Sequence, residues 1–145
     1  PTSAAWGAPK RAGAAAFDLH AATVNASDTA GARVVDIALC GTGLAFEIPP
    51  GHGMLILSRS GHGFSNDVRL ANCVGLIDSD YRGEVHVKLT SDRDGDDGGV
   101  DPLLVKPGDG IAQAFIIQIP TIDFDVVDEL TTTARGAGGL GSTGQ

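Results

Sequence analysis

The stretch NCVGLIDSDYRGEVHVKL, Asn72 to Leu89, decides how the rest of the chain is read. Val74 to Asp78 is a short apolar run that ends in a carboxylate. Gly83 then breaks the chain, and Glu84 to Leu89 alternates polar and apolar residues with the period of two that a half-buried strand requires. Similar short runs lie on both sides: VVDIALC (Val34 to Cys40), LAFEI (Leu44 to Ile48), MLILS (Met54 to Ser58) and IAQAFIIQI (Ile111 to Ile119). MLILS is continuously apolar and reads as a strand buried on both faces. With 21 glycines and 7 prolines in 145 residues, the chain is interrupted too often for a long helix. The expectation is an all-β domain, as a sandwich, barrel or jelly roll.

The length is that of one ordinary domain with a real core. No apolar run approaches the roughly 20 residues of a membrane helix, which excludes that kind of span. The formal net charge is −8 and the few basic residues are scattered, so no stripe exists for a nucleic-acid backbone. A small anion remains compatible if a few arginines and a metal ion gather locally. PTSAAWGAPK has no apolar core behind a basic start, so a signal peptide is not read there, and a cytoplasmic address is expected, or a nuclear or host-cell one for a eukaryotic or viral source. Cys40 and Cys73 lack a CxxC and read as small buried residues, and His20, His52, His62 and His86 lack metal-ligand spacing. The expected organisation is a flexible arm over 1–12, a β domain over 13–130 and a mobile glycine-rich tail over 131–145.

Several segments carry chemistry. Asp92, Asp94 and Asp96 begin like a calcium loop, but Asp97 stands where the turn needs glycine and no closing glutamate follows, so a solvated hairpin tip is expected. RGAGGLGSTG (Arg135 to Gly144) joins a cation, hydroxyls and close-approach glycines, a combination suited to phosphate, although taken alone it more often describes an unstructured glycine-rich terminus. SRSG (Ser58 to Gly61) places Arg59 and Ser60 at a strand exit, as a second phosphate cluster or as a plain turn. GLIDSDYRGE (Gly75 to Glu84) puts Asp78, Asp80, Tyr81 and Arg82 at one strand end. A carboxylate there, partly desolvated, could orient or deprotonate a water, and a ring could pack on a sugar or base. The bland alternative is a hairpin whose aspartates cap the turn.

In this order the segments resemble the five motifs of the trimeric dUTPase (dUTP diphosphatase) family. AAFDLHAA, around Asp18, is similar to the first, SRSG to the second, NCVGLIDSDYRGE to the third, GDGIAQ (Gly108 to Gln113) to the fourth and RGAGGLGSTG to the fifth. The resemblance covers about residues 13 to 144. It implies a jelly roll of the dUTPase-like β-clip kind, assembled as a homotrimer with active sites at subunit interfaces, and a tail that closes the site of another subunit. It further implies hydrolysis of dUTP to dUMP and pyrophosphate, which keeps uracil out of DNA and supplies dUMP for thymidylate synthesis. By position, Asp78 would activate the water that attacks the α-phosphorus. Tyr81 would pack on the deoxyribose and exclude a 2′-hydroxyl. Asn72, Cys73, Gly75 and Leu76 would read uracil, with Leu140 over the base. Arg59, Ser60, Gly61 and Gln113 would hold the triphosphate, joined by Arg135, Ser142 and Thr143. Asp18 would meet Mg²⁺ through its water shell, with the ion mainly on the triphosphate.

Four positions depart from the family pattern. Ser58 stands for a usual proline, a change expected to be benign, and Phe17 for a tyrosine, keeping the ring. Gly110 stands for an arginine, removing a cation and adding backbone freedom. Leu140 stands for the phenylalanine that stacks on uracil, so weaker tail closure and a higher KM are expected. A dCTP deaminase shares the implied fold, but its pattern has a catalytic glutamate five residues after the turn glycine, where this chain has Lys88. A non-catalytic or regulatory nucleotide-binding relative is the alternative from another class, and the retained Asp78 argues against it.

Overall fold

A computed structural model describes residues 6–7, 12–27, 37–92 and 105–139. The arm over residues 1–12, the Ser91 to Asp101 turn with Asp94 and Asp96, and Leu140, Ser142 and Thr143 fall wholly or mostly outside them. The described strands are β1 (Trp6–Gly7), β2 (Phe17–His20), β3 (Thr23–Ser27), β4 (Ile37–Gly41), β5 (His52–Leu57), β6 (Val68–Leu70), β7 (Val74–Ile77), β8 (His86–Ser91) and β9 (Gly110–Gln118), with one short helix, α1 (Ser60–Asn66). They form two antiparallel sheets, one ordered β1-β2-β9-β5-β7 and the other β3-β4-β8-β6. This is the all-β, jelly-roll class of architecture that the sequence led us to expect.

One core lies between the sheets. Leu19, Met54, Ile56, Ala112 and Ala114 come from the first, and Ala38, Cys40, Val68, Leu70, Val87 and Leu89 from the second. The alternation in Glu84 to Leu89 is realised: Val85, Val87 and Leu89 are buried while His86 and Lys88 face out. Each buried large aliphatic side chain stabilises the fold by about 1.5–3 kcal/mol.

Four expectations are corrected. Leu44 to Ile48 forms no strand and joins neither sheet of the described residues. Its apolar residues still turn inward, with Ile48 buried and Leu44 and Phe46 half-buried against the core, because alternation reports a buried face and not a ladder partner. In β5, Met54 and Ile56 are buried but Leu55 and Leu57 only half so, which makes the strand one-sided within a single chain. The segment after Arg59 continues from its turn into α1, where the N–H groups of His62 and Gly63 both donate to the Arg59 carbonyl. Cys40 is buried as expected, but Cys73 is exposed.

Candidate active site

Strand register assembles the first cluster. Asp18 on β2 pairs with Gln113 on β9, and Gln113 pairs with Leu57 on β5, so residues far apart in sequence share one row. Alternation puts that row on the face opposite Leu19, Ala112 and Ile56, away from the core. Gln113 Nε2 donates to Asp18 Oδ1 at 3.2 Å, and Arg59 Nε lies 3.7 Å from the same oxygen. Arg59, two residues past the end of β5, also donates from Nη1 to the Gly110 carbonyl at 2.8 Å. The Asp18 side chain is only 11% exposed and that of Arg59 31%. Each therefore sits in a partly dry environment where charge-assisted bonds are stronger than in bulk water.

Ser60 and Gly61 open α1 beside this cluster and are both exposed. Ser58, the departure expected to be benign, is a working part of the turn: its Oγ accepts the Leu70 N–H at 3.0 Å, tying the exit of β5 to β6. His62 on α1 is a neighbour that sequence reasoning missed, since its only sequence signal was the absence of metal spacing. Burial pushes its imidazole pKa down, Arg59 lowers it further, and Asp109 opposes both. Gly110, expected to add backbone freedom, sits within a paired strand. It is the first residue of β9, paired with His20 next to a register shift between Leu19 and His20.

The second cluster is the turn into β7. Cys73 N–H donates to Leu70 O at 3.0 Å and Val74 N–H to Asn72 O at 2.7 Å, which folds the backbone tightly. Cys73 consequently has φ of 63°, a left-handed conformation uncommon for a residue with a side chain. A Cβ on Gly75 would stand 3.2 Å from Ile56 Cβ, so glycine lets β7 lie close on β5. Asn72, Gly75 and Leu76 line a cavity of about 330 Å³ that His86 and Lys88 also border. That volume is at the small end of ligand pockets.

The third cluster follows β7. The Tyr81 N–H donates to Asp78 O at 3.2 Å, closing the turn, and Tyr81 Oη donates to Glu84 O at 3.0 Å. Arg82 Nη1 donates to Ser79 O and Tyr81 O, so this arginine braces the turn. Gly83 makes room for the ring: a Cβ there would meet Tyr81 Cζ at 2.6 Å and Cε2 at 3.0 Å. Asp78 is exposed, so the partial desolvation expected of it is absent in the single chain.

One chain does not bring all of these together. Ile77 pairs with Met54, so Asp78 lies one step beyond the Met54 level, whereas Arg59 lies five residues the other way along the chain. The two levels are six residues apart, about 20 Å of strand at roughly 3.3 Å per residue. Asn72 and Cys73, not Asp78, approach the Arg59 end. Arg135 bonds within the tail, Nε to Gly138 O at 2.8 Å. Among the described residues no three His, Cys, Asp or Glu side chains group as metal ligands.

The chain is similar in sequence and in fold to dUTPases. The dUTPase family model matches residues 3–144. The deoxyuridine 5'-triphosphate nucleotidohydrolase of Laribacter hongkongensis is 39% identical over 134 residues, covering 92% of this chain and 84% of the relative. The enzyme of the same name from Rhizobium meliloti is 43% identical over 133 residues, covering 92% and 79%. Among solved structures, the Staphylococcus bacteriophage 80alpha dUTPase with dUPNHPP superposes with a TM-score of 0.76 at 24% identity, covering 99% of this chain and 95% of that one. The dUTPase from Streptococcus mutans gives 0.70 at 21% identity, covering 86% and 93%. The chain belongs to the dUTPase family of nucleotide hydrolases.

Proposed function

We propose that this protein hydrolyses dUTP to dUMP and pyrophosphate, with Asp78 taking a proton from the water that attacks the α-phosphorus. The bond from that phosphorus to the bridging oxygen breaks, and pyrophosphate leaves with the electron pair. An exposed carboxylate is a weak base, so positioning and charge neutralisation supply most of the rate. The observation that carries the reading is the cross-strand cluster of Asp18, Gln113, Arg59 and Gly110, which holds a guanidinium in place before any ligand arrives. Ser60, Gly61, Gln113 and Arg59 are assigned to the triphosphate, with Arg135, Ser142 and Thr143 from the tail and Leu140 over the base.

Asn72 and the backbone from Cys73 to Leu76 are assigned to the uracil edge. Their tight fold and small cavity support this. Uracil and cytosine exchange donor and acceptor at one ring position, and a site that hydrogen-bonds there can discriminate by about 10⁴ to 10⁵. Tyr81, its ring held by Gly83 and Glu84, is assigned to the sugar.

The donor set fits a magnesium ion carried mainly by the substrate. Asp18 is one carboxylate already engaged by Gln113, which suits contact through a water shell and not an all-protein cage. When bound, Mg²⁺ supplies neutralisation of phosphate charge. The separation of Asp78 from Arg59 within one chain supports a homotrimer whose sites combine residues of different copies. Hydrolysis of dUTP would keep uracil out of DNA and supply dUMP for thymidylate synthesis.

The test is pyrophosphate release from dUTP, dCTP, dTTP and UTP, with Mg²⁺ and with chelator, beside Asp78→Asn. Release from dUTP alone, abolished by chelator and reduced at least about 10³-fold in the variant, is the expected result. Turnover undiminished in Asp78→Asn would remove that residue from the chemistry. Tight dUTP binding without release would favour the non-catalytic alternative.

A further inference from the structure

Gly110 stands where the family pattern carries arginine, and its vacancy is occupied. A Cβ at Gly110 would meet Arg59 Nη1 at 2.9 Å, Cζ at 3.0 Å and Nε at 3.4 Å. The guanidinium thus lies flat over the α-carbon of β9, where Nη1 reaches the Gly110 carbonyl at 2.8 Å and Nε faces Asp18 Oδ1 at 3.7 Å. Gly110 is not in a left-handed conformation, so its lack of a side chain is not demanded by the backbone. What the glycine provides is the slot.

We propose that Gly110 is a positioning residue for phosphate recognition: its bare α-carbon lets Arg59 dock on the β9 backbone and hold its remaining N–H donors ready for the triphosphate. The inference rests on the dUTP reading and deepens it. A guanidinium has five N–H donors in a fixed fork. Anchoring one on a backbone carbonyl fixes the plane of the others, so less side-chain entropy is lost when phosphate binds. The position keeps this role without a cation of its own, because it sets the geometry of the cation two residues past β5.

Gly110→Ala is the informative change. Its Cβ collides only with the end of a flexible side chain, so Arg59 is displaced while the fold remains. We expect an unchanged melting temperature, a KM for dUTP raised about fivefold to tenfold, and an unchanged inhibition constant for 2′-deoxyuridine, which has no phosphate. In an Arg59→Ala background, Gly110→Ala should add nothing further, whereas a purely structural role would add its full effect. An effect that survives in that background, or that falls equally on deoxyuridine, overturns the proposal. A readout independent of turnover is arginine side-chain NMR of the ligand-free protein. Rotation about the Arg59 Cζ–N bond should be slowed relative to a freely rotating exposed arginine, and released in Gly110→Ala. Fast Arg59 rotation in the unaltered protein overturns the proposal, while failure of that protein to hydrolyse dUTP overturns the functional reading and leaves the NMR result to decide the docking.

Discussion

Gly83→Ala tests the proposed sugar reader without altering it. The new Cβ would fall closest to Tyr81 Oη and would stand 2.6 Å from Cζ and 3.0 Å from Cε2. A carbon contact settles at roughly 3.5 Å, so the ring must retreat by about 0.9 Å (3.5 minus 2.6). That shift also strains the 3.0 Å bond from Tyr81 Oη to Glu84 O, which is exposed and worth about 0.5–1.5 kcal/mol at most. Gly83 lies outside the left-handed region and Tyr81 is 45% exposed, so the fold itself should lose little. A misplacement near 1 Å can cost about 10²-fold where geometry matters. The discrimination between dUTP and UTP in kcat/KM should therefore fall by about tenfold to a hundredfold, mostly through a gain in UTP turnover. Tyr81→Phe, which keeps the ring and removes only the hydroxyl bond, should lose less. The assay is pyrophosphate release over a concentration series of each nucleotide. An unchanged dUTP-to-UTP ratio in Gly83→Ala would refute the assignment of Tyr81 as the group that excludes the 2′-hydroxyl.

Two other expectations follow from the titratable groups. His62 has its pKa lowered by burial and by Arg59, so the folded state resists a proton that the unfolded chain accepts near pH 6.5. Its contribution to stability is complete above that pH and is lost as pH falls through the lowered folded value; urea midpoints between about pH 7 and 5 should drop less steeply in His62→Asn, and identical slopes would contradict this. Burial raises the pKa of the Cys40 thiol, whereas Cys73 is exposed. A thiol reagent should modify one cysteine per native chain, removed by Cys73→Ser, and two fast thiols would show that Cys40 is not protected.

What could be read from the sequence was the part that depends on local period. Val85, Val87 and Leu89 announce their buried face by alternation, and the turn at Gly83 announces itself by composition. The same signal overreached at Leu44 to Ile48, because a buried face does not guarantee a neighbouring strand. α1 had no signal at all: it contains Gly61 and Gly63 and buries no residue, and it is held by the Arg59 carbonyl instead of by an apolar stripe. For the site, resemblance supplied Asp18, Arg59 and Gln113 as separate names. Their meeting depends on the β2–β9–β5 register, a pairing between residues 95 positions apart that no local pattern encodes. Gly110 was read as a missing cation because one sequence shows which side chain is absent and not what fills its place.

The single chain is also unfinished in a way that agrees with the proposed assembly. Ile122, Phe124 and Val126 are 63%, 87% and 99% exposed and alternate with Asp123 and Asp125, a period of two in a segment that makes no ladder with the described strands. Val127 and Leu130 extend the apolar surface. A strand-like pattern with an open apolar face is stable when another sheet edge or core receives it. At about 1.5–3 kcal/mol for each large side chain fully buried, five such residues can offset much of the entropy of association. The same step bears on the proposed catalytic geometry: a segment received by a neighbour would carry Arg135 with it, while the Asp78 and Arg59 levels lie about 20 Å of strand apart within one copy. In the proposed assembly, association would thus bury the apolar segment and bring the half-sites together in one step, so that the proposed hydrolysis would depend on the same contacts that cover Ile122, Phe124 and Val126.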